Sequence, residues 1–393
     1  MKLAERLNQV GEYYFSQKLR EIDAMNRNGA AVINLGIGSP DLPPHPAVIK
    51  TLQEASANTN VHAYQGYRGI EELRQSISKW YRNWYDVSLD PASEILPLIG
   101  SKEGIMHICM TWLNEGDEVL VPDPGYPTYR SAVQLAGGTC ISYTLDDTGS
   151  PSLEKIMQHN LSKVKLMFIN YPHMPTGAQA TEEIFKMLID FAGKHDILLV
   201  SDNPYSFILT SKPISILSVE GGKEVAVELN SLSKSHNMAG WRVGMLCGHA
   251  DRINAVMRFR SNMDSGMFLP LQLAAAKALS LGKDWYDSLN AVYSKRKKKA
   301  LFLVQDVLGC NVSEDQAGLF TWARIPAHFK DAYELSDLVL THAAVFLTPG
   351  GIFGDTGKEY IRISLCSTEE RFDEAISRIN GSGIFSSTQL TNL

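Results

Sequence analysis

The run Val164-Lys165-Leu166-Met167-Phe168-Ile169 leads into Asn170-Tyr171-Pro172-His173-Met174-Pro175-Thr176-Gly177. After a gap comes Glu182 to His195, then Ile197-Leu198-Leu199-Val200, then Ser201-Asp202-Asn203-Pro204-Tyr205. The two apolar runs are short and nearly unbroken, as in strands buried on both faces. Prolines and a glycine end the first of them. The polar-apolar stretch between the runs has the length of a helix. The same order repeats toward the N-terminus. Ile95 to Ile99 reads as a strand, Gly100-Ser101-Lys102-Glu103-Gly104 as a turn, and Ile105 to Leu113 as a helix. Glu118 to Val121 reads as a strand ending at Pro122-Asp123-Pro124-Gly125-Tyr126-Pro127, and Glu224 to Leu229 as a later one. This alternation predicts an α/β fold with a mostly parallel central sheet between helices. Ligands in such sheets bind beyond the carboxyl ends of the strands. Each polar cluster falls just after a strand, so the clusters are expected to meet in space.

The flanking chain has a different texture. Residues 1 to 30 read as one amphipathic helix, with Leu3, Leu7, Val10, Tyr14 and Leu19 on helical spacing. Ala31 to Leu35 reads as extended, and Gly36-Ile37-Gly38-Ser39-Pro40-Asp41-Leu42-Pro43-Pro44 as irregular. Val48 to Ala57 and Ile70 to Tyr85 are predicted helices. A long helix is expected from Trp285 to Val307, carrying Lys295-Arg296-Lys297-Lys298-Lys299 as a solvated face. Residues 1–45 and 285–393 are expected to form a smaller α+β domain beside a large domain at 46–284, with disorder after Phe385.

At 393 residues the chain exceeds one ordinary core. Its composition, 44% hydrophobic and 20% charged, is that of a soluble globular protein. A net charge of -6 argues against nucleic acid as a partner. Five scattered cysteines lack metal-site spacing and suit a reducing cytoplasm. No apolar run is long enough to span a bilayer, and Met1 to Gln9 lacks the apolar core of a signal peptide.

Within this frame, Ser231-Leu232-Ser233-Lys234 and Gly240-Trp241-Arg242-Val243-Gly244 carry chemistry. A lysine can hold a carbonyl cofactor as a Schiff base and an arginine a phosphate. Taken alone, such a lysine is usually a solvated surface residue. Gly100-Ser101-Lys102 opens a helix after a strand, where backbone N–H groups and the helix dipole favour an anion. Tyr126 offers an aromatic face to a planar ring. Asp202 offers a carboxylate to a protonated ring nitrogen, and Tyr205 a hydroxyl. Caps and surface positions explain these residues singly but not together.

Together they resemble the pyridoxal-5'-phosphate (PLP) enzymes of fold type I, the class I/II aminotransferases of the aspartate-aminotransferase superfamily. Pro175-Thr176-Gly177, Asp202-x-x-Tyr205, Ser231-x-Ser-Lys234, the Arg242 block and Gly350 to Gly357 with Tyr360-Ile361-Arg362-Ile363-Ser364 carry the resemblance, from about Asn34 to Ile379. The Gly100 to Gly104 and Pro122 to Pro127 wording is similar to the LL-diaminopimelate-aminotransferase-like branch. The resemblance implies Lys234 as the Schiff-base lysine and proton shuttle, Asp202 on the pyridine nitrogen and Tyr205 on O3'. It implies Ser101, Lys102 (by backbone), Ser231, Ser233 and Arg242 on the phosphate, and Tyr126 stacked on the ring. Arg362 would pair with the substrate α-carboxylate beside Gly38. Tyr64 would reach the partner subunit's phosphate, which implies a homodimer with shared sites. The implied activity moves an amino group from an L-amino acid to a 2-oxo acid by ping-pong chemistry.

One position departs. The family usually has asparagine before Pro-Thr-Gly, and this chain has Met174, preceded by His173. A thioether donates no hydrogen bond. Tyr205 would then carry O3' alone, or with His173 or a water; otherwise Met174 merely packs and His173 faces away. A PLP-dependent C–S β-lyase is the nearest alternative activity. No distal-carboxylate arginine stands out, the Arg258 to Arg260 region being the nearest candidate.

Overall fold

The computed structural model describes residues 1–385. A short strand, β1 (Ile33–Asn34), precedes the main sheet. That sheet is built from β2 (Ile95–Leu98), β3 (Glu118–Pro122), β4 (Thr139–Tyr143), β5 (Val164–Asn170), β6 (Leu198–Asp202), β7 (Ala226–Ser231) and β8 (Gly244–Gly248). Its order is β2-β8-β7-β6-β5-β3-β4. The pairs from β4 across to β7 are parallel, and β8 runs against both of its neighbours. Alternation along the strands sorts side chains to two faces. Leu166, Phe168, Leu198 and Val200 enter one apolar cluster, and Met167, Ile169 and Leu199 enter the other. Helices cover both faces, which explains the near-continuous apolar runs.

A second sheet, order β12-β13-β10-β9, joins β9 (Asn311–Val312), β10 (Phe320–Arg324), β12 (Thr348–Pro349) and β13 (Tyr360–Ser364), all antiparallel. The remaining strand, β11 (Val345–Phe346), pairs in parallel with β1. A third apolar cluster gathers Ile33 and Leu35 with Val345, Ile361 and Phe372, so both ends of the chain share packing.

Several boundaries differ from the sequence reading. Residues 1 to 30 are not one helix. A single turn at Glu5–Gln9 and an α-helix at Tyr14–Arg27 are separated by extended backbone at Val10. Leu3 and Leu7 are exposed and pack into no core, so helical spacing there misled. The anion-site turn is already helix: Gly100 takes φ +83 and the helix runs Ser101–Trp112, one left-handed glycine sufficing for the reversal. The long C-terminal helix starts at Lys283 and ends at Phe302, with a wider π turn at Leu303–Val307. The expected disorder after Phe385 lies outside the described residues.

Candidate active site

A cavity of about 810 Å³ lies where β5, β6 and β7 end, facing β10, β13 and the N-terminal segment. Register sets its floor: Asn170 at the end of β5 stands beside Asp202 at the end of β6. The Asn170 amide donates to the Asp202 carbonyl at 2.6 Å and accepts from the Met174 N–H at 2.7 Å. Asp202 is buried. Its Oδ2 accepts from the Tyr129 hydroxyl at 2.7 Å, while Oδ1 has no partner among the described residues. Burial pushes the Asp202 carboxyl up to about 6, against the pull of the Tyr129 bond. Tyr129 is itself fixed by stacking on Phe168, centroids 4.7 Å apart, and Tyr126 meets its edge at 5.5 Å.

The chain reversal from β7 to β8 carries the lysine. Ser231 caps the turn Leu232–Ser235 by accepting from the Ser233 N–H, and its hydroxyl reaches the Ser233 hydroxyl at 2.9 Å. Arg242 sits in a left-handed conformation, φ +56, which turns its guanidinium toward the Ser233 hydroxyl at 3.5 Å and the Ala239 carbonyl at 2.9 Å. A side chain on Gly100 would collide with that guanidinium, and one on Gly244 with the Ser101 N–H. Lys102 lines the cavity with its Nζ 4.7 Å from the Tyr13 ring. The Lys234 Nζ donates to the Gly38 carbonyl at 2.5 Å, and burial lowers its pKa.

The opposite wall is built around Arg362, which is 4% exposed. Its Nη2 donates to the Gly36 carbonyl at 2.8 Å, and the guanidinium lies 3.9 Å from the Phe320 ring and 4.6 Å from Phe353. Its Nε has no hydrogen-bond partner, and no carboxylate pairs with it among the described residues. Burial therefore pulls it down to about 10. A desolvated guanidinium with donors to spare suits a carboxylate ligand.

The cavity thus brings together Gly38, Ser101, Lys102, Tyr126, Asp202, Tyr205, Ser231, Ser233, Lys234, Arg242 and Arg362. It does not include Tyr64, which is 92% exposed on its own chain. His173 is likewise absent from the lining: it is buried and bonds Thr176 at 2.8 Å, and burial pushes its pKa down to about 3. Met174 does line the cavity, its Sδ 3.2 Å from the Arg362 Nη1. Arg260 is also elsewhere, buried against Asp264 and the Tyr67 carbonyl. Sequence reasoning missed Tyr13, Phe15, Tyr129, Asn170, Phe320 and Phe353. Asn170 and Phe353 lay inside stretches already suspect, but nothing local marked the others.

The family model for aminotransferase class I and II matches residues 30–379. The chain belongs to that family. The LL-diaminopimelate aminotransferase of Halothermothrix orenii is 40% identical over 388 residues, covering 98% of this chain and 99% of that one. The corresponding Aquifex aeolicus protein is 37% identical over 382 residues, 96% and 98% of the two chains. Among solved structures, substrate-bound BacF from Bacillus subtilis superposes with a TM-score of 0.92 at 36% identity, covering 97% and 98%. A Staphylococcus aureus aminotransferase follows at 0.88 and 30%, covering 98% and 100%. The aminotransferase described here is a fold type I enzyme that moves an amino group from an amino acid to an oxo acid, which sets aside the lyase alternative. Its cofactor is PLP, and the site fits it. The buried Asp202 Oδ1, unpartnered among the described residues, could accept from a ring N–H, and the hydroxyls and guanidinium near Gly100 suit an anion. Among the described residues no helix is long and apolar enough to cross a membrane.

Proposed function

We propose that the donor is an L-amino acid with an aromatic or long apolar side chain and the acceptor a 2-oxo acid. One observation carries this reading. Tyr13, Phe15, Leu19, Ile37, Phe320 and Phe353 wall the substrate side, and Asp202 is the one acid in the lining among the described residues. Apolar rings reward burial of an apolar side chain, and no lining carboxylate other than Asp202 is placed to pair with a distal ammonium among the described residues. Bound PLP supplies an electron sink for the pair left at the substrate Cα. Asp202 Oδ1 would accept from the ring nitrogen and Tyr205 donate to O3'. Ser101, the Lys102 N–H, Ser231, Ser233 and Arg242 would hold the phosphate, under Tyr126. Arg362 would fix the α-carboxylate beside Gly38. The Lys234 amine, its proton affinity lowered by burial, would take the Cα proton and return it at C4'.

A second reading takes LL-diaminopimelate as donor. The names of the relatives favour it, as does Lys102, a lining cation with no carboxylate partner among the described residues. The wider proposal is a cytoplasmic homodimer in which exposed Tyr64 reaches the partner's site, with 46–284 as the large domain and 1–45 plus 285–393 as the small one. The test adds amino acids singly to the PLP-loaded enzyme and follows its absorbance. Conversion by phenylalanine, tyrosine or leucine, reversed by 2-oxoglutarate or pyruvate, is expected. Conversion by LL-diaminopimelate alone would favour the second reading and sink the first.

A further inference from the structure

The run Lys295-Arg296-Lys297-Lys298-Lys299 is not a uniform solvated face. Lys295 and Lys298 are exposed, but Arg296 turns inward and is 3% exposed. Its Nη1 and Nη2 donate to Oδ1 and Oδ2 of Asp41 at 2.6 and 2.8 Å. Nη1 also donates to the Leu365 carbonyl at 3.1 Å, just past the strand that carries Arg362. A bidentate charge pair between residues 255 apart fixes two pieces of backbone in register. Asp41 belongs to the irregular segment 36–44, which presents two carbonyls to the active site. The Gly36 carbonyl accepts from Arg362 at 2.8 Å and Thr348 at 2.9 Å; the Gly38 carbonyl accepts from Lys234 at 2.5 Å. Beyond Asp41, the Pro43 carbonyl accepts from Asn237 at 3.2 Å. Neither Arg296 nor Asp41 lines the cavity.

We propose that Arg296 and Asp41 are positioning residues: their ion pair sets where the Gly38 carbonyl stands, hence where the Lys234 amine rests and how much room remains beside Arg362. This rests on the assignment of Lys234 and Arg362 to the site. The pair acts through the backbone of segment 36–44 and touches no reacting atom.

The test measures steady-state kinetics and amide hydrogen exchange on PLP-loaded Arg296→Met, Arg296→Lys and Asp41→Asn. Arg296→Met is expected to lower donor kcat/KM about tenfold or more, with the larger share in KM and the smaller in kcat. Exchange in a peptide spanning 36–44 is expected to quicken while peptides from β5 and β6 stay unchanged, and Arg296→Lys should recover part of both effects. Unchanged KM and exchange overturn the proposal; so does faster exchange throughout the sheet with an equal loss in every kinetic constant, the mark of a merely structural role. If Arg296→Met fails to fold, Asp41→Asn, nearly isosteric at a side chain 28% exposed, is judged by the same criteria. Lys234→Ala separates the two readings. An active Lys234→Ala enzyme overturns the site assignment, whereas an inactive one beside unaltered Arg296 and Asp41 variants overturns only the positioning role.

Discussion

On the sheet side of the cavity, Asn170, Asp202 and Ser231 stand at the ends of β5, β6 and β7, three strands paired side by side. On the opposite side, Gly36, Met174 and Arg362 come from three distant parts of the chain and hold one another through a carbonyl and a thioether, while the Gly38 carbonyl beside them accepts from Lys234. The first wall inherits its geometry from a ladder of backbone hydrogen bonds. The second depends on single contacts across long stretches of sequence. Residues of the first kind should tolerate little change in chemistry; those of the second should trade affinity for selectivity.

That contrast is open to attack, beginning where the effect should be greatest. Lys234→Ala should lower the single-turnover transamination rate by ~10⁴, because Lys234 is the amine proposed to move the Cα proton. Residual turnover above ~1% would break the assignment of the sheet side. Arg362→Lys, on the other wall, should lower kcat/KM by ~10²-fold, mostly through KM, since one ammonium cannot reproduce a planar fork. A loss confined to kcat would erase the distinction between the walls.

Tyr129→Phe sharpens it further, at a cost of about 1–3 kcal/mol in stability. The Tyr129 bond favours the charged form of Asp202, so its loss raises a carboxyl already held up to about 6. A carboxyl raised above its ordinary 3.8 keeps its proton in the folded state after the unfolded chain has released it. Stability of the PLP-free enzyme therefore falls as pH climbs from about 4 to about 6, and in Tyr129→Phe the fall continues to higher pH. Thermal melts across that range, wild type beside variant, read the difference. The smallest effect belongs to Met174→Asn, where kcat should change within about threefold. An absorbance titration of the bound cofactor should move, because an amide donor would enter beside Tyr205; no movement would make this position electronically silent.

Legibility in the sequence follows the same divide. The helix Glu182–His195 and the strand before it fall where the apolar pattern places them, because the helix buries one face, the strand buries both, and each has local stop signals. The edge strand β4 escaped notice since it is half exposed and lacks an unbroken apolar run. Motif residues converge on the cavity because strand ends converge. Tyr13 and Phe15 gave no signal, being ordinary aromatics until the N-terminal segment folds over the site. Arg296 looked like its lysine neighbours for the same reason: its partner is far away in sequence.

The contact between Gly36 and Arg362 spans 326 residues. At roughly 5–20 residues per second of synthesis, the first waits about 15–65 s for the second to be made. The strand ends proposed to cradle the cofactor, at Asn170, Asp202 and Ser231, are all made before that. On the roles proposed above, a growing chain would complete the strand ends for its cofactor well before the arginine for its substrate.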